Sequence, residues 1–282
     1  RGGGGGAGAA TSSAVDVSTR SDLRCATEAE LMAARYKVMR KCKKRGYVRL
    51  ETNFGPLNLE LRFDVAPRAC ENFIGLCRNG AYDDTVFHRI IKGFVVQGGD
   101  PTGEGHGGQS LWGAPFADEV DVSRLRFDAR GVLAYANAGK RDQNKSQFFL
   151  TLAPCPHLDG KHTIFGKLVG GNDTLDQIEV LRVAEDHRPV GDSVLIRHAI
   201  VFADPVPDAD NLFEDTVAKA IASRQTKKKA PNNLAVAKTG GRGGAPPSVP
   251  KKRARVDQPQ QRHTALTIGK YLPSSAAQAQ RK

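Results

Sequence analysis

Nowhere in the 282 residues do about 18 apolar side chains follow one another, so a membrane-spanning helix is excluded and no membrane partner is expected. A positive, apolar, small-residue leader is missing too. The chain opens at Arg1 rather than Met, which makes a piece of a longer protein, or a processed product, the expectation. No Cys-x-x-Cys pair occurs. The five cysteines (Cys25, Cys42, Cys70, Cys77 and Cys155) are odd in number and lack metal-ligand spacing, so they fit a reducing compartment rather than a disulfide framework or zinc site. Cys70 and Cys77, seven apart on an expected helix, read as one buried face. The glycine-rich run 103–110 (GEGHGGQS) has no lysine after it, so it is not a phosphate cradle of the GxxxxGK[ST] kind. No internal repeat is visible.

What the chain has in excess is positive charge, and it is unevenly placed. The formal net charge is +12, from 42 basic and 30 acidic side chains. Residues 221–282 hold 14 of the basic residues and a single acid, Asp257, leaving 28 basic against 29 acidic residues before them. The basic character therefore belongs to a tail and says nothing about the folded part. With 39% hydrophobic residues, 30 Gly and 15 Pro, one core plus unpacked flanks is expected.

The pattern divides the chain into five. Residues 1–24, a glycine run followed by Ala, Thr and Ser, read as disordered linker. Residues 25–44 form a helix-prone leading arm in which Leu31, Ala34 and Val38 can share a face. The dense region is 45–205. Residues 206–222 read as a short helix-prone extension, and 223–282 as a disordered basic tail. Within the dense region, YVRLETNFGPLNLELRF has two alternating runs about Asn53-Phe54-Gly55, a hairpin with Val48, Leu50, Leu57, Leu59 and Leu61 inward. Pro67 then opens a helix that Asn79-Gly80 closes, with Phe73, Leu76 and Cys77 on one face. Short apolar runs follow (TVFHRII, GFVVQGG, GVLAYAN, SQFFLTL, HTIFGKLVGG, SVLIRHAIVF), with a second short helix over 173–181. Many short strands and two helices predict a mostly-β closed fold. The irregular, Gly-rich excursion over 101–128 is of the kind that often carries function.

Phe87-His88-Arg89-Ile90-Ile91, Gly93-Phe94, Gln97-Gly98-Gly99-Asp100, Ala136-Asn137-Ala138-Gly139, Ser146-Gln147-Phe148-Phe149 and Leu158-Asp159-Gly160-Lys161-His162 together resemble the cyclophilins, in order and spacing, across about 47–203. ARYKVMRKCKKRGYVRLETNFGPLNLEL and DPTGEGHGGQSLWGAPFADE look like the nuclear members that carry a U-box, though no U-box is present in this chain. The resemblance implies a closed eight-stranded antiparallel barrel capped by two helices. It also implies peptidyl-prolyl cis/trans isomerisation without a cofactor, on proline-containing peptides or proteins, by a monomer.

That reaction rotates an X–Pro bond whose barrier is roughly 20 kcal/mol. It needs no nucleophile. It needs a donor for the twisted amide, an apolar seat for the ring and grips on the flanking backbone. The resemblance makes Arg89 the donor, with Gln97 orienting it and Phe94 beside them at the catalytic centre. Phe149, Leu158 and Val95 match the apolar wall, where Val95 stands in place of the usual Met. Asn137 matches the residue whose carbonyl grips the peptide, and Ala136, Ala138 and Gln147 the adjoining wall. His162 matches the histidine beside the ring, and His88 a residue of the site that supports the fold. The 103–110 loop would border the entrance to a second pocket. His157 stands where typical members have Trp, which implies weak cyclosporin binding and reduced turnover on short peptides.

In the tail, Lys251, Lys252, Arg253 and Arg255 resemble a nuclear-import signal, with Lys227–Lys229 upstream. An import receptor, a nuclear location and contact with spliceosomal or ubiquitylation machinery are the corresponding expectations. Non-specific nucleic-acid contact is the rival reading of the same charges.

Overall fold

The structure is a computed structural model and describes residues 26–228. The expected linker over 1–24, Cys25 and the tail from 229 onward, with Lys251, Lys252, Arg253 and Arg255, lie outside the described residues.

Alternation in the dense region becomes a hairpin. Strands β1 (Gly46–Thr52) and β2 (Gly55–Leu61) pair from Thr52↔Gly55 to Gly46↔Leu61. Val48, Leu50, Leu57, Leu59 and Leu61 are all buried, as a period of two requires. Helix α2 (Pro67–Arg78) begins on Pro67, where a missing N–H costs nothing, and ends at Asn79 with Gly80 at φ 67°. Its inner face carries Cys70, Phe73, Leu76 and Cys77. Both thiols are free, and burial pushes their pKa values well up, so they act as small core hydrophobes.

The remaining strands are β3 (Thr85–Val86), β4 (Arg89–Ile91), β5 (Val95–Gly98), β6 (Val132–Tyr135), β7 (Phe148–Thr151), β8 (Ile164–Gly170) and β9 (Leu195–Ala203). Helix α3 (Asn172–Glu179) lies between β8 and β9. The sheet order is β3-β9-β1-β2-β8-β6-β7-β5-β4, antiparallel throughout. Its two edge strands, β3 and β4, are separated in the chain only by Phe87 and His88, so the sheet has to curl until its edges come near each other. No ladder joins them. In place of the expected closed eight-stranded barrel the described residues form a curled nine-stranded sheet with four α-helices, in which a single bridge, Val86 to Asp100, links β3 to the segment just past β5. The extra strand arises because Thr85–Ile91 is not one strand. Thr85-Val86 pairs with β9, and Arg89–Ile91 turns to pair with β5.

The main core lies inside the curl. Phe73 packs 5.1–5.3 Å from Tyr82, Phe148 and Phe165, and Tyr135 stacks on Phe165 at 4.4 Å. Strands β6 and β7 are buried at every position. Their inward residues Leu133, Tyr135, Phe148 and Leu150 join this core. Their outward residues Ala134 and Phe149, with Val95 of β5, form a second cluster under Phe127, Cys155 and Ile164. Burial on both faces explains why these strands read as unbroken apolar runs.

Two flanking helices complete the picture. In α1 (Glu28–Cys42), Thr27 and Glu30 form a capping box. The buried side chains are Arg35, Tyr36 and Met39, not the expected Leu31-Ala34-Val38 face. Arg35 holds both oxygens of Glu71 (2.8 and 3.0 Å) and both of Asp210 (2.5 and 3.0 Å), so one buried guanidinium ties α1 to α2 and to α4. Helix α4 runs Val206–Lys228, past the expected limit at 222. The first compact unit ends at Ala218. The second starts at Lys219, and only the end of α4 is described in it.

Candidate active site

The outer face of β4, β5, β7 and β6 carries a row of side chains set by register alone. Arg89 is opposite Gln97, Gln97 is opposite Phe149, and Phe149 is opposite Ala134. A surface groove of about 640 Å³ opens over this row. It brings together eleven of the thirteen residues singled out from the sequence: Arg89, Phe94, Val95, Gln97, Ala136, Asn137, Ala138, Gln147, Phe149, Leu158 and His162.

Its apolar end is built on the second cluster. Phe149 stacks on Phe127 at 5.9 Å and meets the His162 ring edge-on at 5.4 Å. Phe94 follows a tight turn in which Gly93 takes φ 68° and the Phe94 N–H donates to the Ile91 carbonyl at 3.0 Å. Leu158 sits on a single 3₁₀ turn, Pro156–Leu158. His162 Nδ1 lies 3.1 Å from the Tyr135 carbonyl oxygen. A carbonyl can only accept, so Nδ1 is the protonated nitrogen and Nε2 of the neutral ring keeps its lone pair. Burial holds the His162 pKa below the ordinary 6.5, partly offset by that hydrogen bond.

The polar end depends on buried ties. Asn137, only 4% exposed, donates through Nδ2 to the Lys161 carbonyl (2.9 Å) and accepts the Gly139 N–H at Oδ1. Its own carbonyl accepts the Lys140 N–H at 2.9 Å, which leaves one lone pair for a peptide. This turn puts Ala138 at φ 49°. Fully buried Asp100 organises the 103–110 loop by accepting the N–H groups of Thr102, Gly105 and Gly107 and the Thr102 hydroxyl. Burial alone would raise the Asp100 pKa, but these hydrogen bonds pull it below the usual carboxylate range. A Cβ at Gly107 would overlap the Asp100 carboxylate, so this position takes only glycine.

Three features depart from the sequence reading. Gln97 does not reach Arg89. Its Nε2 donates to Gln147 Oε1 (2.9 Å), whose Nε2 donates to the Gly107 carbonyl (2.9 Å), a chain that joins β5, β7 and the loop. Arg89 is exposed and makes no hydrogen bond or ion pair among the described residues, so its guanidinium donors face the groove. His88 is 6% exposed, lies outside the groove wall, and lines a smaller cavity of about 220 Å³ behind Arg89. Neither of its ring nitrogens has a partner among the described residues, and burial lowers its pKa. His157 is also outside the wall and stacks on Phe94 at 5.3 Å at the rim. Lys140, Gln143 and Lys145, which the sequence reading passed over, also line the groove. Their only signal was position, between Asn137 and Gln147.

A family description, cyclophilin type peptidyl-prolyl cis-trans isomerase/CLD, matches residues 47–201. Peptidyl-prolyl cis-trans isomerase 4 of Caenorhabditis elegans is 46% identical over 237 residues, covering 84% of this chain and 42% of that protein. Peptidyl-prolyl cis-trans isomerase-like 3 of Mycosarcoma maydis is 51% identical over 162 residues, 56% of this chain and 95% of that one. A crystal structure of a Cryptosporidium parvum cyclophilin type peptidyl-prolyl cis-trans isomerase, obtained in the presence of the dipeptide Ala-Pro, is 42% identical. It superposes with a TM-score of 0.54 over 56% of this chain and 99% of its own. The chain spans less than half the length of several of its curated relatives. With a family match across the whole curled sheet, this chain belongs to the cyclophilin-type peptidyl-prolyl cis/trans isomerases.

Proposed function

We propose that the groove binds X–Pro segments of protein substrates and catalyses their cis/trans rotation, in a nuclear protein that serves folding or assembly. The observation that carries this is the adjacency of Arg89, with uncommitted donors, to an apolar seat of Phe94, Val95, Phe149 and Leu158. The ring enters the seat because burying it removes apolar surface from water. As the amide twists, its nitrogen regains a lone pair and its carbonyl loses double-bond sharing. A guanidinium that donates to either atom bonds the twisted form better than the planar one, which lowers the barrier. The second lone pair of the Asn137 carbonyl and the Gln97–Gln147 chain offer grips for the flanking backbone. Neutral His162 closes one side.

One observation favours a second reading, a proline-peptide recognition module of weak turnover. Gln97 bonds Gln147 and not Arg89, and no hydrogen bond or ion pair among the described residues holds the Arg89 guanidinium in one pose. Exchange NMR on several Xaa–Pro peptides separates the two. Cis/trans exchange cross-peaks that grow with protein at substoichiometric amounts support catalysis. Chemical-shift changes without faster exchange support recognition alone.

The nuclear location rests on the sequence 250–256 (PKKRARV). Replacing Lys251, Lys252, Arg253 and Arg255 by Ala should abolish nuclear accumulation of a tagged chain. A longer parent acting in ubiquitylation or spliceosomal assembly is supported by the resemblance of residues 34–61 and 100–119 to the U-box members and by the greater length of the relatives.

A further inference from the structure

The charge of the groove is not that of the protein around it. Before residue 221 the chain is balanced, 28 basic against 29 acidic residues. Yet the groove wall contains Arg89, Lys140 and Lys145 and no Asp or Glu. The two lysines belong to the turn between Asn137 and Gln147, and their places are fixed by the backbone. The Lys140 N–H donates to the Asn137 carbonyl at 2.9 Å. The Lys145 carbonyl accepts from buried Asn72 Nδ2 at 2.8 Å, and the next residue, Ser146, is pinned to the Gly99 carbonyl at 2.7 Å. Lys145 is half-buried, and neither ammonium makes an ion pair or side-chain hydrogen bond among the described residues. The nearby carboxylates are otherwise engaged. Asp142 accepts the Asp118 N–H at 2.8 Å, and Asp118 accepts the Asp142 N–H at 3.0 Å and Asn144 Nδ2 at 2.7 Å. They lace two turns together and offset the lysines only in part.

Resting on the reading that the groove takes proline peptides, we propose that it selects those carrying an anionic side chain, a carboxylate or a phosphate, a few residues from the proline. Lys140 and Lys145 are the selecting pair. An extended peptide advances about 3.3 Å per residue, so one that seats its proline on Phe149 and crosses Asn137 has a nearby side chain at the lysines. Two solvent-accessible cations meeting one anion should give roughly 3- to 10-fold tighter binding at low salt, and less at high salt.

The test uses the full 282-residue chain and Ala-Pro peptides that place Glu, phosphoserine, Ala or Lys one to three residues before or after the proline. Binding is read by NMR titration at low and high salt. The expected order is phosphoserine or Glu above Ala above Lys, with the spread shrinking in salt. In a folded K140E/K145E variant the ratio of Glu to Ala affinity should invert. Phosphoserine exceeding Glu by no more than its extra charge points to carboxylates as sufficient ligands, and a larger excess points to phosphate. Equal affinity across all side chains, or a Glu-to-Ala ratio untouched by the charge reversal, overturns the selectivity while leaving proline binding in place. If the Ala peptide itself does not bind, the underlying proline reading fails, and the selectivity with it.

Discussion

Single side chains decide the chemistry here, and two of them can be tested separately from the fold. His162 is held neutral below the ordinary 6.5, by burial first. Its folded pKa is depressed, so the neutral form, which the proposed role uses, persists as pH falls through 6.5 and is lost only lower. A kcat/KM profile should therefore be level from pH 8 to below 6.5 and fall after that, and a midpoint above 6.5 would contradict the depression of the His162 pKa by burial. At the rim, His157 presents a small ring that stacks on Phe94. His157→Trp adds aromatic area and an indole donor beside an apolar wall already in place. Cyclosporin affinity should rise by roughly tens to hundreds of fold in a calorimetric titration. Nanomolar binding by the parent would show that this position does not decide it. These residues were legible because the cyclophilin-like motifs are contiguous peptides whose spacing a strand preserves. Lys140 and Lys145 were not legible, since nothing in a turn of Gly, Lys, Arg, Asp and Gln says which side chains face a groove.

Among elements, the hairpin and α2 followed from the sequence because alternation and an N-terminal proline are local signals. The buried face of α1 did not. Periodic apolar counting favours Leu31, Ala34 and Val38, but Arg35 is buried instead because its charge is answered by Glu71 and Asp210, 36 and 175 residues away. The break of Thr85–Ile91 into two strands likewise depends on partners elsewhere in the sheet. Helix α2 shows the same long reach. Its own N-cap, Ala66, offers no side-chain bond and its first turn has no acid. Glu119, 50 residues on, supplies the acceptor by taking the Ala69 N–H at 2.9 Å while paired to Arg40 at 2.7 Å. Burial pushes the Glu119 pKa up, Ala69 and Arg40 draw it back, and it settles at about 7. A carboxyl raised in the folded state stabilises most below its ordinary 4.5 and loses that contribution as pH climbs through about 7. Relative to Glu119→Gln, which does not titrate, the parent should lose on the order of 2–3 kcal/mol between pH 4.5 and 8 in urea melts. A constant difference across that range would show that Glu119 does not carry the raised pKa.

For the molecule as a whole, the helices flanking the sheet are part of its stability. A piece limited to 45–205 lacks Arg35 and Asp210, leaving Glu71 without its guanidinium. It should unfold at a lower urea concentration than 26–223, and limited proteolysis of the full chain should protect α1 along with the sheet. Rapid loss of α1 with no change in the melting of the remainder would argue that the Arg35 link is weak. The curled sheet serves the groove by register, since it sets Arg89, Gln97 and Phe149 on three neighbouring strands with no help from loops. The central claim is that Arg89 acts on the twisted amide. The direct measurement is exchange NMR on an Ala-Pro peptide with the full chain and its Arg89→Ala variant, alongside peptide affinity and melting temperature. In the variant kcat/KM should fall by roughly 100- to 1000-fold while affinity and melting temperature change little. Equal catalysis by parent and variant would contradict it.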